Sequence, residues 1–261
     1  VLPYLHDLHL EAEDAINADQ QLSKVALRIA VPVLPRTSNH TDFDALRLQP
    51  DVDLQFVRKG QPLPPCDLII LPGSKSVRAD LQALHDNGWA EQLTRHLRYG
   101  GKVLGICGGF QMLGKLIHDP LGIEGPSGSS EGLAWLDMET TLAAEKTLRQ
   151  VSGHCRLNGR QASLRGYEIH AGISQGRALE TPFAEVNEHC DGAISADGHV
   201  LGSYVHGLFD DDEARALILQ WAGASSLEAV DYDGIIEANL ERLADCVEQH
   251  LDMETLLSLG S

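Results

Sequence analysis

Two kinds of apolar pattern run along the first half of the chain. Leu27-Arg-Ile-Ala-Val-Pro-Val33 and Cys66-Asp-Leu-Ile-Ile-Leu71 are short, nearly continuous apolar runs, as expected of strands buried on both faces of a sheet. Pro32 belongs at the end or edge of the first run, because it offers no N–H to a neighbour. Val52-Asp-Leu-Gln-Phe-Val57 alternates, and Lys102-Val-Leu-Gly-Ile106 predicts a fourth strand. Between the last two, Leu81 and Leu84 lie three apart and Trp89, Leu93 and Leu97 four apart, each set marking one face of a helical stretch that Gly100-Gly101 closes. A further helix is predicted from Gly108 to Ile117. Strands alternating with helices predict an α/β fold with a doubly wound, mainly parallel sheet.

The pattern then changes. Residues 122–132 are rich in Gly and Ser and predict a surface loop, and residues 133–205 predict short added β segments. Asp197-Gly198 is a hairpin turn between Gly192–Ser195 and Val200–Tyr204. Asp211-Asp212-Glu213 starts a helix through Trp221, since carboxylates favour a helix N-terminus. Ile236, Leu240, Leu243, Val247 and Leu251 form an amphipathic C-terminal helix. Residues 7–24, with Asp7, Glu11, Glu13, Asp14 and Asp19, read as an exposed linker. The resulting division is 1–24 as an interdomain segment, 25–224 as one domain and 225–261 as a C-terminal helical extension.

Charge and cysteine usage narrow the function. A net charge of -18 argues against a surface for nucleic acid, whose binding is driven by Lys and Arg. No run approaches the roughly 18 apolar residues that span a bilayer, and no signal peptide is visible at the start. The five cysteines (Cys66, Cys107, Cys155, Cys190 and Cys246) are odd in number and widely spaced, which predicts a reducing, cytoplasmic setting.

The chemistry concentrates at Val103-Leu-Gly-Ile-Cys107-Gly-Gly-Phe-Gln-Met-Leu-Gly114. An apolar strand runs into a cysteine flanked by glycines, and a helix begins at once. Such a turn holds its central residue strained, with the side chain above the sheet. The thiolate is the nucleophile, and a helix N-terminus favours negative charge. Its free N–H groups can also hold an oxyanion. The Leu71-Pro-Gly73-Ser-Lys75 turn ends another strand of the same sheet, so an N–H from Gly73 or Ser74, with that of Gly108, is the predicted oxyanion pair. The turn lacks the spacing of a phosphate loop. A cysteine nucleophile needs a base. His206, at a strand end before Gly207, ranks ahead of His170 among the 12 histidines, and both stay open on pattern alone. His154-Cys155 and His189-Cys190 lack metal-ligand spacing, so no metal site is predicted.

With these residues in place, the chain resembles the class I glutamine amidotransferase domain, of flavodoxin-like fold, and within it the cobyric acid synthase branch of cobalamin biosynthesis. The motifs are Leu71-Pro-Gly-Ser-Lys75, Gly105-Ile-Cys-Gly-Gly-Phe-Gln-Met-Leu-Gly114, Arg165-Gly-Tyr-Glu-Ile-His170, Ser203-Tyr-Val-His-Gly-Leu-Phe-Asp210 and Gln249-His-Leu-Asp-Met-Glu-Thr-Leu-Leu257. The resemblance implies that Cys107 attacks the glutamine amide, that His206 is base and acid, that the Gly108 and Gly73–Ser74 amides form the oxyanion hole, and that Gln111 contacts bound glutamine. It implies a glutamyl thioester and release of ammonia to a synthetase domain N-terminal to the 1–24 linker. That domain uses ATP and Mg to amidate four carboxylates of a corrinoid, adenosylcobyrinic acid a,c-diamide; no cofactor is expected in this chain. Many class I domains carry Glu two residues after the histidine, where this chain has Leu208. A Cys–His dyad that lacks the usual carboxylate at position 208, its orienting group left open, and weak glutaminase activity in isolation are therefore expected. Alternatives are a related amidotransferase, such as cobyrinate a,c-diamide synthase or a cell-wall amidotransferase, another cysteine hydrolase, or a catalytically weak interaction module.

Overall fold

The computed structural model describes residues 2–6, 8, 10, 20–22, 24–253 and 258. The acidic residues of the predicted linker lie outside them, as does part of the Gln249–Leu257 motif. In chain order the first half holds β1 (Leu27–Pro32), α1 (Asp44–Arg47), β2 (Val52–Val57), β3 (Leu68–Leu71), α2 (Val77–Asp86), α3 (Trp89–Arg98), β4 (Lys102–Ile106), α4 (Gly108–Met112), β5 (Leu116–Asp119) and β6 (Gly128–Glu131). The second half holds β7 (Glu139–Leu157), β8 (Arg160–Gln175), β9 (Ala184–Val186), β10 (His189–Asp191), β11 (Ala193–Ile194), β12 (Val200–Ser203), β13 (Val205–His206), α5 (Asp212–Ala222) and α6 (Tyr232–His250).

The main sheet has the order β11-β12-β4-β3-β1-β2. All neighbours are parallel except β11, which pairs antiparallel with β12 across the Asp197-Gly198 turn. Successive side chains leave a strand on opposite faces, so a strand buried on both must be apolar throughout. β3 is such a strand, with all of Leu68–Leu71 buried. Ile29, Leu68, Ile70, Leu104 and Leu201 pack on one face with Leu46 of α1 and Ala214, Ile218 and Trp221 of α5. Ala30, Ile69, Leu71, Val103 and Val200 pack on the other with Leu81, Leu84, Trp89, Leu93 and Phe110. Helices on both faces make the sheet doubly wound, as its pattern predicts. The Asp211 carboxylate caps α5 by accepting from the Glu213 and Ala214 amides. Pro32 ends β1, consistent with its missing donor.

Four expectations are corrected. The single helix over Leu81–Leu97 is two, because Gly88 takes φ 66 and turns the chain between α2 and α3. The helix expected from Gly108 to Ile117 stops at Met112; Leu116–Asp119 becomes a strand because β6 and β7 flank it. β6 itself falls within the expected 122–132 loop. The short β segments of 133–205 include two long strands: β7 of 19 residues and β8 of 16, joined by an Asn158-Gly159 turn with both residues at positive φ. They form a second sheet with β5, β6, β9, β10 and β13. α6 buries Tyr232, Asn239 and Cys246 but leaves Leu240 51% exposed, so the predicted apolar stripe is only partly covered. Gln20, within the predicted linker, bonds the backbone of β2 at Val52 and Leu54. No described helix is long and apolar enough to cross a membrane.

Candidate functional site

The β4–α4 junction holds Cys107 at φ 50 and ψ -106, a conformation strained for any residue with a Cβ. Its N–H donates to the Ser203 carbonyl at 2.8 Å and its carbonyl accepts from Gln111 N at 3.1 Å, so the bend is pinned on both sides. A methyl group on Gly109 would run into the Leu71 carbonyl, which is why α4 can start directly against β3 only with glycine there. The thiol is 6% exposed, points to the Ile169 carbonyl at 3.5 Å, and faces a cavity of about 280 Å³. Burial pushes Cys66 and Cys155 up to about 12, so those two thiols stay protonated and inert at neutral pH.

The β3 turn meets this elbow. A methyl group on Gly108 would lie 2.8 Å from Ser74 N, so the two backbone segments are in contact. Ser74 and Gly108 both line the cavity, and neither amide enters a hydrogen bond among the described residues, so both are available as donors. Ser74 is fixed through its side chain: its hydroxyl donates to Asp80 at 2.6 Å and accepts from Ser76 N at 3.0 Å. Asp80 is fully buried and also accepts from Arg36 N. Burial raises its pKa, partly offset by the Ser74 hydroxyl. Gln111 is 2% exposed and lines the cavity; its Nε2 donates to the Tyr204 hydroxyl at 3.4 Å, while its Oε1 is buried with no partner.

His206 ends β13, which pairs antiparallel with β8 so that His206 lies opposite Tyr167. The two rings stack at 5.3 Å between centroids. A methyl group on Gly73 would lie 3.0 Å from the His206 Cε1, so the glycine lets the imidazole approach the β3 turn. The orienting group that the sequence left open is a carboxylate from elsewhere in the chain. Asp42, 1% exposed and 164 residues away in sequence, takes the His206 Nδ1 at 2.7 Å and the Gly207 N–H at 2.9 Å. Leu208, where many relatives carry Glu, is fully buried in the core instead. Burial works against a charged imidazole, but the Asp42 carboxylate outweighs it and Cys107 adds to the rise, bringing His206 to about 10. Nε2 is buried with no hydrogen-bond partner, while Nδ1 is committed to Asp42. His170, the competing histidine, also lines the cavity but is stacked on Tyr204 at 3.9 Å, bonds the Gly172 carbonyl, and is pushed down by burial.

The structure thus brings Ser74, Cys107, Gly108 and Gln111 around one cavity, sets His206 against Gly73 and next to Cys107, and adds Asp42 and Asp80, which sequence reading missed. Neither aspartate has a local signal. Asn39-His-Thr-Asp42 reads only as a polar turn, and Asp80 as one polar position on an amphipathic helix. Glu168, within the Tyr167–His170 motif, is directed elsewhere: it is 2% exposed and bonded to Arg149 at 2.5 Å and His189 at 3.0 Å.

Comparison with known proteins bears on the fold and the family. Two solved structures share the fold. One, described as PurLQS from Thermotoga maritima, is 17% identical with a TM-score of 0.52, covering 83% of this chain and 99% of that one. The other, described as a glutamine amidotransferase, is 21% identical with a TM-score of 0.55, covering 75% and 98%. Residues 28–214 match the CobB/CobQ-like glutamine amidotransferase domain, a span that includes every residue of the site described above, and the chain belongs to that family.

Proposed function

We propose that Cys107 is the nucleophile of a glutaminase and that His206, Asp42, Ser74, Gly108 and Gln111 serve it. The Cys107 sulfur attacks the glutamine amide carbon, and the Ser74 and Gly108 amides hold the oxyanion that forms. The His206 imidazolium passes its Nε2 proton to the departing nitrogen, so ammonia leaves and a γ-glutamyl thioester remains. Neutral His206 then takes a proton from water, which attacks the thioester carbon; glutamate leaves and the thiolate returns. Asp42 holds the charged imidazole and directs Nε2 at the reaction. The orphaned Gln111 Oε1 suits a donor on the bound substrate. The observation that carries this reading is the strained Cys107 elbow beside an imidazole whose other nitrogen is held by a buried carboxylate.

The ammonia, on this proposal, feeds the cobyric acid synthase reaction: ATP-dependent amidation of adenosylcobyrinic acid a,c-diamide by a synthetase domain that binds ATP and Mg. The family match and the elbow, Tyr167-Glu-Ile-His170 and His206-Gly-Leu-Phe-Asp210 motifs support this acceptor. Treatment with the diazoketone glutamine analogue 6-diazo-5-oxo-L-norleucine tests the core reading. One adduct on the Cys107 peptide, prevented by excess glutamine, is the expected mass-spectrometric result; adduct-free Cys107 would count against it.

Asp80 yields a second expectation. Asp80→Ala removes the acceptor for the Ser74 hydroxyl and the Arg36 amide, so the Ser74 N–H loses its fixed aim. A whole oxyanion donor is worth about 100- to 1,000-fold. A misaimed one should cost roughly 10-fold or more in kcat, with KM little changed. Asp80→Asn keeps an acceptor oxygen and should recover most of the rate. Steady-state ammonia release checks both, and a fall in KM-dependent terms alone would place Asp80 outside the turn's function.

A further inference from the structure

We propose that Asp191 is a positioning residue for the glutaminase pair: its carboxylate ties together two places where the chain crosses between the sheets, and so sets Cys107 and His206 in register with each other. This rests on the glutaminase reading and names what fixes its geometry. Cys107 follows β4 of the main sheet, whereas His206 lies in β13, which pairs with β8 of the second sheet. The placement of nucleophile against base is therefore the placement of one sheet against the other, which the ladder of either sheet alone does not set. The chain passes from the main sheet to the second at Tyr204, between β12 and β13, and from the second to the main at Gly192, between β10 and β11.

Asp191 ends β10 at the second crossing and reaches the first. One carboxylate oxygen accepts from Tyr204 N–H at 3.0 Å and the other from the Ser203 hydroxyl at 2.5 Å. That hydroxyl accepts in turn from Val205 N–H at 3.0 Å. All three residues before His206 are thus held, directly or through one hydroxyl, by a single side chain. Ser203 also touches the elbow, because its carbonyl takes the Cys107 N–H at 2.8 Å. Gly192, at φ 74, lets the two crossings meet: a methyl group there would run into the Gly202 carbonyl. The carboxylate is a costly choice for this place. Asp191 is 4% exposed, and burial pushes its pKa up to about 6 against the pull of the Ser203 and Tyr204 bonds. Glu168 adds to the rise; His189 opposes it but is bonded to Glu168. An amide would fill the same space without a buried charge. What the carboxylate offers beyond an amide is a second acceptor oxygen, so that the Ser203 O–H and the Tyr204 N–H are taken at once.

The experiment sets glutamine turnover beside thermal stability in Asp191→Asn, Ser203→Ala and the double variant. Asp191→Asn keeps an acceptor for Tyr204 N–H and loses the one for the Ser203 hydroxyl. Its kcat for ammonia release should fall roughly 10- to 100-fold with KM little changed, the scale of a misplacement of up to about 1 Å between reacting groups. Ser203→Ala cuts the same link from the other end, so the double variant should lose no more than the larger single loss. Stability should move the other way. Ionisation is harder in the fold than in the unfolded chain, so above about pH 6 the charge costs stability that an amide does not. Asp191→Asn should therefore melt no lower than wild type at pH 7, although it is the slower enzyme. The assignment is overturned if kcat is unchanged, if the two single losses multiply, or if the melting temperature falls together with kcat, which would make the carboxylate a brace for the fold alone. Wild-type chain that releases no ammonia from glutamine would instead sink the glutaminase reading beneath it.

Discussion

Cys107→Ala is expected to lower glutamine hydrolysis by at least about 10,000-fold, since removing the nucleophile of a concerted set costs nearly as much as removing the whole set. Ammonia release measures it directly. On the proposed function, an enzyme that couples this chain to a synthetase domain should lose glutamine-dependent amidation while amidation driven by ammonium salts persists, because only the nitrogen source passes through the elbow. Loss of both would make Cys107 structural. The backbone offers a second reading of the same residue. A side chain at φ 50 and ψ -106 is strained by about 1–3 kcal/mol, and only glycine relieves it. Cys107→Gly should therefore unfold at a higher temperature than Cys107→Ala, although both are inactive. A site that keeps a side chain where glycine would be more stable is one where the side chain, not the bend, is wanted.

The parts of this fold legible in sequence are those fixed by short-range physics. The run Leu68–Leu71 can only be a strand covered on both faces, and the Cys107 elbow announces itself because strand, cysteine, glycines and helix are consecutive. The parts that were hidden are fixed by partners distant in sequence. Leu116–Asp119 follows a helical segment and has no β signature of its own; β6 and β7 on either side make it a strand. β7 and β8 are several times longer than the usual five or six residues, and polar exposed positions dilute their alternation. The carboxylate beside His206 was sought at position 208 because local spacing is all that a sequence displays. At that position the chain has already turned at Gly207, with φ 75, and Leu208 faces the core. The charge comes instead from a short 3-10 turn over His40–Phe43, delivered by tertiary packing.

Asp42→Asn is expected to reduce kcat for glutamine hydrolysis between about 100- and 1,000-fold. In a serine triad the same exchange costs about 10,000-fold, because an amide can donate to Nδ1 and fix the wrong tautomer. A thiol needs less help to ionise than a hydroxyl, so the smaller figure is the one to expect here. A cysteine–histidine pair that worked without an orienting carboxylate would instead show a change within a few-fold, and the role given to Asp42 would fail. Stability against pH gives an independent reading. His206 stands at about 10 in the folded chain against 6.5 for a free imidazole. A raised value means that the charged pair stabilises the fold fully below the unfolded pKa, and that this contribution fades as pH rises through the folded one. The melting-temperature gap between wild type and Asp42→Asn should therefore be wide near pH 6.5 and close as pH rises through about 10. A gap that stayed constant over that window would mean that Asp42 holds only the Gly207 amide at 2.9 Å, and that the imidazole beside Cys107 is neutral when substrate arrives.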